Sequence, residues 1–297
     1  MKRYWLSAFV ALTAVVFGGI TFSSEDPAVA VEVVDPDLKN MQWNRYTTEN
    51  FTILSIDDIQ GKWLAANIEG IKSWCITRWG FPDFKFTKEC RVMCIPNRDV
   101  MKKLFNLTES RCEIRRKDGQ IEMTVLWLIL DDKPSRSIPV QLTAVCMAEF
   151  ESRHNVRMPW FAQRGTALLN STLPEVRAHL AGLASDLTKG TPVFPCEVMF
   201  TMTQDDYVKQ TADSRRVFDH QSVALCLMLR KEFGEAKMQG FYRLSNKNKP
   251  EDVLKLVYRF NGFQHFDSSY GRYMRDLSKD IISNRTPDSY LEIKPVK

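Results

Sequence analysis

The chain has 297 residues, enough to bury a sizeable core without metal or disulfide staples. Hydrophobic residues make up 44% and charged residues 26%, which excludes a mainly disordered chain, a collagen, a coiled coil and a multi-pass membrane protein. The 41 basic and 36 acidic residues leave a formal charge of +5 with no dense basic block, so nothing indicates nucleic-acid binding.

Lys2 and Arg3 precede an apolar stretch from Trp5 to Phe22, and Ala28-Val29-Ala30 follows a polar break. A basic start, an apolar centre and an A-x-A site are the parts of a secretory signal. The expectation is export, with residues 1–30 removed and a polar leader over 31–45. The alternative is an uncleaved anchor, the one case in which the protein would hold to a membrane.

Phe51 to Ser55 reads as a strand. Ile59 to Gly80 reads as a long Trp-rich amphipathic helix, with Leu64, Ile68, Ile71, Cys75 and Trp79 at helical spacing and Trp63 and Trp74 widening its apolar face. Gly80-Phe81-Pro82 stops it. Cys90 to Pro96 reads as a second strand with both its cysteines on one face, and 99–107 as a short helix with Asp99 near its N-cap. Asp118-Gly119 marks a hairpin whose second arm is Ile121 to Leu130. After Pro139 the pattern turns helical: 140–153, 161–170, a helix from about Pro174, then 218–233, 250–260 and 267–282. The fold class expected is α+β, a strand-rich N-terminal half followed by a helical C-terminal half. One domain spans 46–285, with a tail over 286–297.

Seven cysteines, an odd number, leave at least one thiol without an intrachain partner, and most read as small buried hydrophobes. The four histidines, His154, His179, His220 and His265, include no pair at one-turn spacing, so no zinc-type pair is written in the sequence. Hydrolase elbows, phosphate loops and the dinucleotide fingerprint are absent too. The acidic pairs Glu149 with Glu151 and Asp205 with Asp206 read as solvated or capping charges. Asn50, Asn106, Asn170 and Asn284 head glycosylation acceptor triplets, relevant only in a eukaryotic source.

Two segments carry a family signal. One is Val140 to Phe150. The other is Pro159-Trp160-Phe161-Ala162-Gln163-Arg164-Gly165-Thr166-Ala167. The second resembles the P-x-W-x-x-E-G-x-A motif of peptidase-MA-like gluzincins, thermolysin-type zinc peptidases found in secreted bacterial proteins. Pro159, Phe161, Gly165 and Ala167 match it, and Arg164 stands at the ligand Glu. On the preceding helix, where the family carries H-E-x-x-H, one register puts Thr143, Ala144 and Met147 on those positions. A register shifted by one puts Ala144, Val145 and Ala148 there. Phe218-Asp219-His220-Gln221-Ser222 resembles the family's Y-x-Q-S helix, and Phe233-Gly234 its aromatic-Gly end. Gly262-Phe263 followed by Phe266-Asp267 resembles the start of its terminal helix, and Glu49 to Ile53 its opening strand. The similarity spans roughly residues 46 to 280.

The resemblance implies a gluzincin-like fold without the zinc ligands or the general base, and so no metal, no cofactor and no peptidase chemistry. The expected role is binding of a peptide or protein partner through the former cleft, with Trp160, Gln163, Arg164 and His220 as candidate binding residues. For Arg164 the competing expectation is an ion pair with Glu149 or another acid on a neighbouring helix. The rival functions are a hydrolase built from Glu149, His154 and His220, and a purely structural envelope protein.

Overall fold

The structure, a computed structural model, describes residues 42–117, 120–130, 134–245 and 248–292. The expected signal segment and nearly all of the leader lie outside the described residues, as does the Asp118-Gly119 turn. Five strands form one mixed sheet: β1 (Asn44–Thr47), β2 (Phe51–Ser55), β3 (Cys90–Ile95), β4 (Arg111–Lys117) and β5 (Gln120–Ile129), in the order β1-β2-β3-β5-β4. The three central strands run parallel and both edge strands run antiparallel to their neighbours. Parallel neighbours need a crossover, supplied between β2 and β3 by α1 (Asp58–Thr77) and between β3 and β5 by α2 (Arg98–Phe105) with the β4 arm. The Asp-Gly signal thus holds, since β4 and β5 pair up to Lys117 opposite Gln120.

Strand alternation sends side chains to two cores. Phe51, Ile53, Cys90, Val92, Cys94, Leu126 and Leu128 face the main core. Met93, Ile95, Val125, Trp127 and Ile129 face a smaller core closed by α2 through Met101 and Leu104. Cys90 and Cys94 do share a face. All seven cysteines are free thiols, and only Cys112 is not fully buried.

The main core is covered by α1, by α3 (Pro134–His154), and by α4 (Trp160–Leu169), α5 (Leu173–Thr188), α8 (Ala212–Lys231) and α11 (Phe263–Ile282). Between them lie α6 (Cys196–Thr201), α7 (Gln204–Lys209), α9 (Glu235–Leu244) and α10 (Pro250–Val253), the last continuing as a π-turn over Leu254–Tyr258. Every residue of α8 from Val217 to Leu229 is buried, so it forms the central axis of the helical half. Gly165 lets α4 close on it: a Cβ there would lie 2.3 Å from the Ser222 carbonyl oxygen.

The α+β order of a strand-rich first half and a helical second half is therefore present, and several local expectations need correcting. The cap of α2 is Asn97, whose side chain accepts from the Val100 N–H, rather than Asp99. The π-turn replaces the second half of the helix expected over 250–260. Trp63 and Trp74 do not widen the buried face of α1 but stand on its solvent side. The expected tail is tied to the domain as far as Glu292, with α12 (Asp288–Leu291) burying Leu291. Glu149 and Glu151 are buried, not solvated, because both face inward from α3; Asp206 does cap α7 in a box with Thr203. Asn50 and Asn170 are buried, so two of the four acceptor triplets are closed to a glycan.

Asn170, at the end of α4, ties the layers together. Its Nδ2 donates to Thr143 Oγ1 (2.7 Å) and to the Cys75 carbonyl (3.2 Å). Its Oδ1 accepts from Trp79 Nε1 (3.1 Å) and from the Arg78 guanidinium (3.4 Å). The Thr143 hydroxyl in turn donates to the Pro139 carbonyl (2.6 Å). Replacing Asn170 with Ala leaves the Trp79 indole N–H unpaired inside the core and strips the Thr143 hydroxyl of its donor, a loss of about 2–4 kcal/mol. Denaturant unfolding of Asn170→Ala checks this; a loss under about 1 kcal/mol would contradict it.

Candidate functional site

A cleft of about 1040 Å³ lies between β4, the second half of α3, the start of α4 and the 200–205 segment. β4 contributes Cys112, Ile114 and Arg116, alternate residues on one face of the strand. α3 contributes Ala144, Ala148 and Glu151, which recur at helical spacing and so line one side. From α4 come Trp160 and Gln163. Of the two registers read from the sequence, the one with Ala144 and Ala148 faces the cleft. Thr143 and Met147 are turned into the core.

Glu151 organises the wall between α3 and α4. One carboxylate oxygen accepts from the Met158 N–H (2.7 Å) and from Gln163 Nε2 (3.0 Å), and the other from the Arg116 guanidinium (2.7 Å). Burial pushes the Glu151 carboxyl up, against the lowering effect of these donors. Gln163 also donates to the Met158 carbonyl (3.1 Å), so its amide is committed to the wall. Trp160 packs on Tyr207, with ring centroids 5.7 Å apart, and its buried Nε1 has no acceptor. Arg157 is an exposed cation on the rim and Asp205 an exposed acid across from the α3 wall.

The four residues proposed for binding are not brought together. Trp160 and Gln163 line the cleft; Arg164 and His220 do not. Arg164 turns behind the wall to α8, where Nε and Nη2 grip the Asp219 carboxylate at 2.9 and 2.7 Å. Burial disfavours the cation, and the Asp219 contact outweighs it and raises the pKa further. The ion pair expected as the competing reading is the one present, with Asp219 rather than Glu149 as the acid. Tyr207 joins it, donating to Asp219 at 3.1 Å. Glu149 instead accepts from the N–H and hydroxyl of Thr87 (2.9 and 2.8 Å).

His220 lies on the far side of the helical half, lining a second depression of about 520 Å³ with His179. Its Nδ1 is 3.0 Å from Asp186, which also accepts from Arg216 at 2.8 Å. Burial would raise the Asp186 carboxyl, but these two partners hold it below the usual range. The ring of His220 packs so closely on α5 that a Cβ at Gly182 would lie 2.2 Å from it. His179 meets that ring edge-on, centroids 5.5 Å apart, and burial with the neighbouring His220 lowers its pKa to about 4.

Neither of these two depressions brings Glu149, His154 and His220 together. Among the described residues no three His, Cys, Asp or Glu side chains converge as metal ligands. Glu151 and Arg116 were missed as wall residues. The spacing 144–148–151 on α3 and the alternation 112–114–116 on β4 were the signals that could have found them.

Arg164→Ala strips Asp219 of its guanidinium partner inside a part-buried helix contact. Because the pair keeps some solvent contact, the loss expected in thermal denaturation is about 2–4 kcal/mol, below the top of the range for buried pairs. A loss under about 1 kcal/mol would show that the pair contributes nothing structural. His179 supplies the pH dependence. Its folded pKa is depressed, so the unfolded chain takes up the proton first as pH falls below about 6.5. Stability is undiminished above that pH and falls towards pH 4. His179→Gln should flatten the drop between pH 7 and 4 by roughly 1–3 kcal/mol. An unchanged pH profile would contradict the assignment.

No family model matches the chain, and no curated protein matches it.

Proposed function

We propose that the chain is an exported, catalytically inactive relative of the gluzincin peptidases that holds an extended peptide, or an extended segment of a protein partner, in the cleft. The observation that carries this reading is the composition of the cleft. Its α3 wall presents Ala144 and Ala148, which one of the two registers of the resemblance puts at the metal-binding histidines, and its opposite wall is β4, an edge strand of the sheet.

Alanines neither ligate a metal nor move a proton, and the one buried acid of the wall, Glu151, is occupied by three donors. What remains is shape. Ile114, Ala144, Ala148, Met158 and Phe241 make an apolar lining that suits a hydrophobic side chain. An edge strand offers backbone N–H and C=O groups to a further strand, which supplies affinity independent of peptide sequence. Gln163, one position before the ligand position of the motif, stiffens the wall and leaves its approach to Trp160 and Arg157.

The test is panning of a random-peptide display library on protein recovered from its host, its N-terminus first read by mass spectrometry. Export predicts a start near Val31, and an intact Met1 in the cytoplasm would remove that part of the reading. The cleft predicts enrichment of peptides with a bulky apolar residue. Binding should fall at least ~10-fold, or ~1.4 kcal/mol, in Ala144→Trp, a half-buried position on the cleft lining, with an unchanged circular dichroism spectrum. Equal enrichment on wild type and Ala144→Trp would overturn the binding role. Metal analysis of the same material should find no zinc bound through residues 143–164.

A further inference from the structure

α1 has two apolar faces. The inner one, with Leu64, Ile68 and Cys75, is part of the main core. The outer one presents Ile59, Trp63, Ala66, Gly70 and Trp74, at steps of four, three, four and four residues. Those steps keep all five within one strip of the helix surface, the spacing of a helix–helix seam. Ile59 is 79% exposed, Trp63 44% and Trp74 39%.

We propose that this outer face of α1 is a self-association surface, the interface of a weak two-fold dimer with a second copy of the chain. The pattern of side-chain sizes selects the occupant. Read from either end, the last four positions, Trp63, Ala66, Gly70 and Trp74, run large, small, small, large. An antiparallel copy centred near Ile68 therefore sets Trp63 against the second copy's Trp74 and Ala66 against the second copy's Gly70. Such a match of a surface with its own inverse is what an isologous contact requires. Gly70 fits this and nothing inside the chain: a Cβ there would meet no atom within 4 Å, yet glycine inside a helix costs about 1 kcal/mol relative to alanine. The close approach of a second helix at the crossing point gives it a purpose.

Charge and rigidity agree. None of the five residues carries a charge, and the flanking Lys62 is paired with Asp58 at 2.7 Å, so two copies meet without like-charge repulsion. The same flanks lack the row of basic residues that a lipid-binding helix presents. The Arg78 guanidinium lies 4.1 Å from the Trp74 ring centroid and holds that indole in place before contact. Ile59, Trp63 and Trp74 expose roughly 300–400 Å² of side chain per copy. With their neighbours, the area buried by both copies comes to roughly 1,000 Å², the lower edge of specific interfaces. Interfaces at that lower edge belong to weak, reversible contacts rather than obligate dimers. The proposal is independent of the cleft.

Sedimentation equilibrium of the protein from about 1 to about 500 µM is the experiment. Wild type should pass from monomer to dimer across that range. Trp63→Ser with Trp74→Ser should weaken the dimer at least ~10-fold with an unchanged circular dichroism spectrum. Gly70→Leu should remove it while holding or raising the thermal midpoint, because leucine favours the helix and blocks the crossing. That variant separates loss of the interface from loss of the fold. A wild type that stays monomeric to the top of the range would overturn the proposal. So would an unchanged Kd in both variants. Flotation of a monomeric wild type on phosphatidylglycerol–phosphatidylcholine vesicles, lost in the tryptophan variant, would give the surface to lipid and overturn it as well.

Discussion

The helical half is hung on the sheet through the side chain of Asn170. One amide there meets the end of α1 through the Cys75 carbonyl, Arg78 and Trp79, and meets α3 through Thr143. α1 and α3 lie on the same face of the sheet, and α4 ends where they converge. Each of these polar groups is out of reach of water, so each must find its partner inside, and only one placement of α4 satisfies them together. α4 in turn carries Trp160 and Gln163 at its start, where they line the cleft.

A second set of buried charges fixes α8 in the same way. Asp219 is held by Arg164 from α4 and Tyr207 from α7, and Asp186 on α5 is held by Arg216 and His220 from α8. Ion pairs of this kind add little net stability over an apolar contact, but they penalise every arrangement in which a charge is left alone. The consequence for the cleft is direct. The permanent charge of Arg164 is spent behind the wall, and the charge of Glu151 is cancelled by Arg116 within it. The proposed peptide site therefore sets apolar residues such as Ile114, Ala144 and Phe241 among polar ones, with its wall charges already paired, which favours recognition by shape and backbone.

The two surfaces proposed for association differ in origin. The cleft is a depression left where helices and a sheet edge cannot close on each other. The outer face of α1 is the reverse, a ridge with more apolar surface than a water-facing helix needs. Both depend on α1 and α3 lying side by side, because α1 can turn Trp63 and Trp74 outward only when its other face is filled by Leu64 and Ile68 against the sheet.

What the chain states locally, it states well. The alternation of Phe51 and Ile53, the Asp-Gly turn, the helix-ending Gly80-Phe81-Pro82 and the apolar run of α8 each depend on near neighbours, and each produced the element expected from it. The α+β order follows from those elements alone. Short pieces such as β1, α6 and α7 were not legible, because segments of four to six residues are held by what they pack on and not by their own propensity. The same limit applied to function. Trp160 and Gln163 could be placed at a cleft because a helical motif fixes their spacing. Arg164 and His220 could not, since the acids that turn them away, Asp219 and Asp186, come from helices distant in sequence. Sequence periodicity told which residues share a face of one helix. Which helix that face meets was decided only by the tertiary structure, where buried charges and amides must be paired across elements that local spacing does not relate.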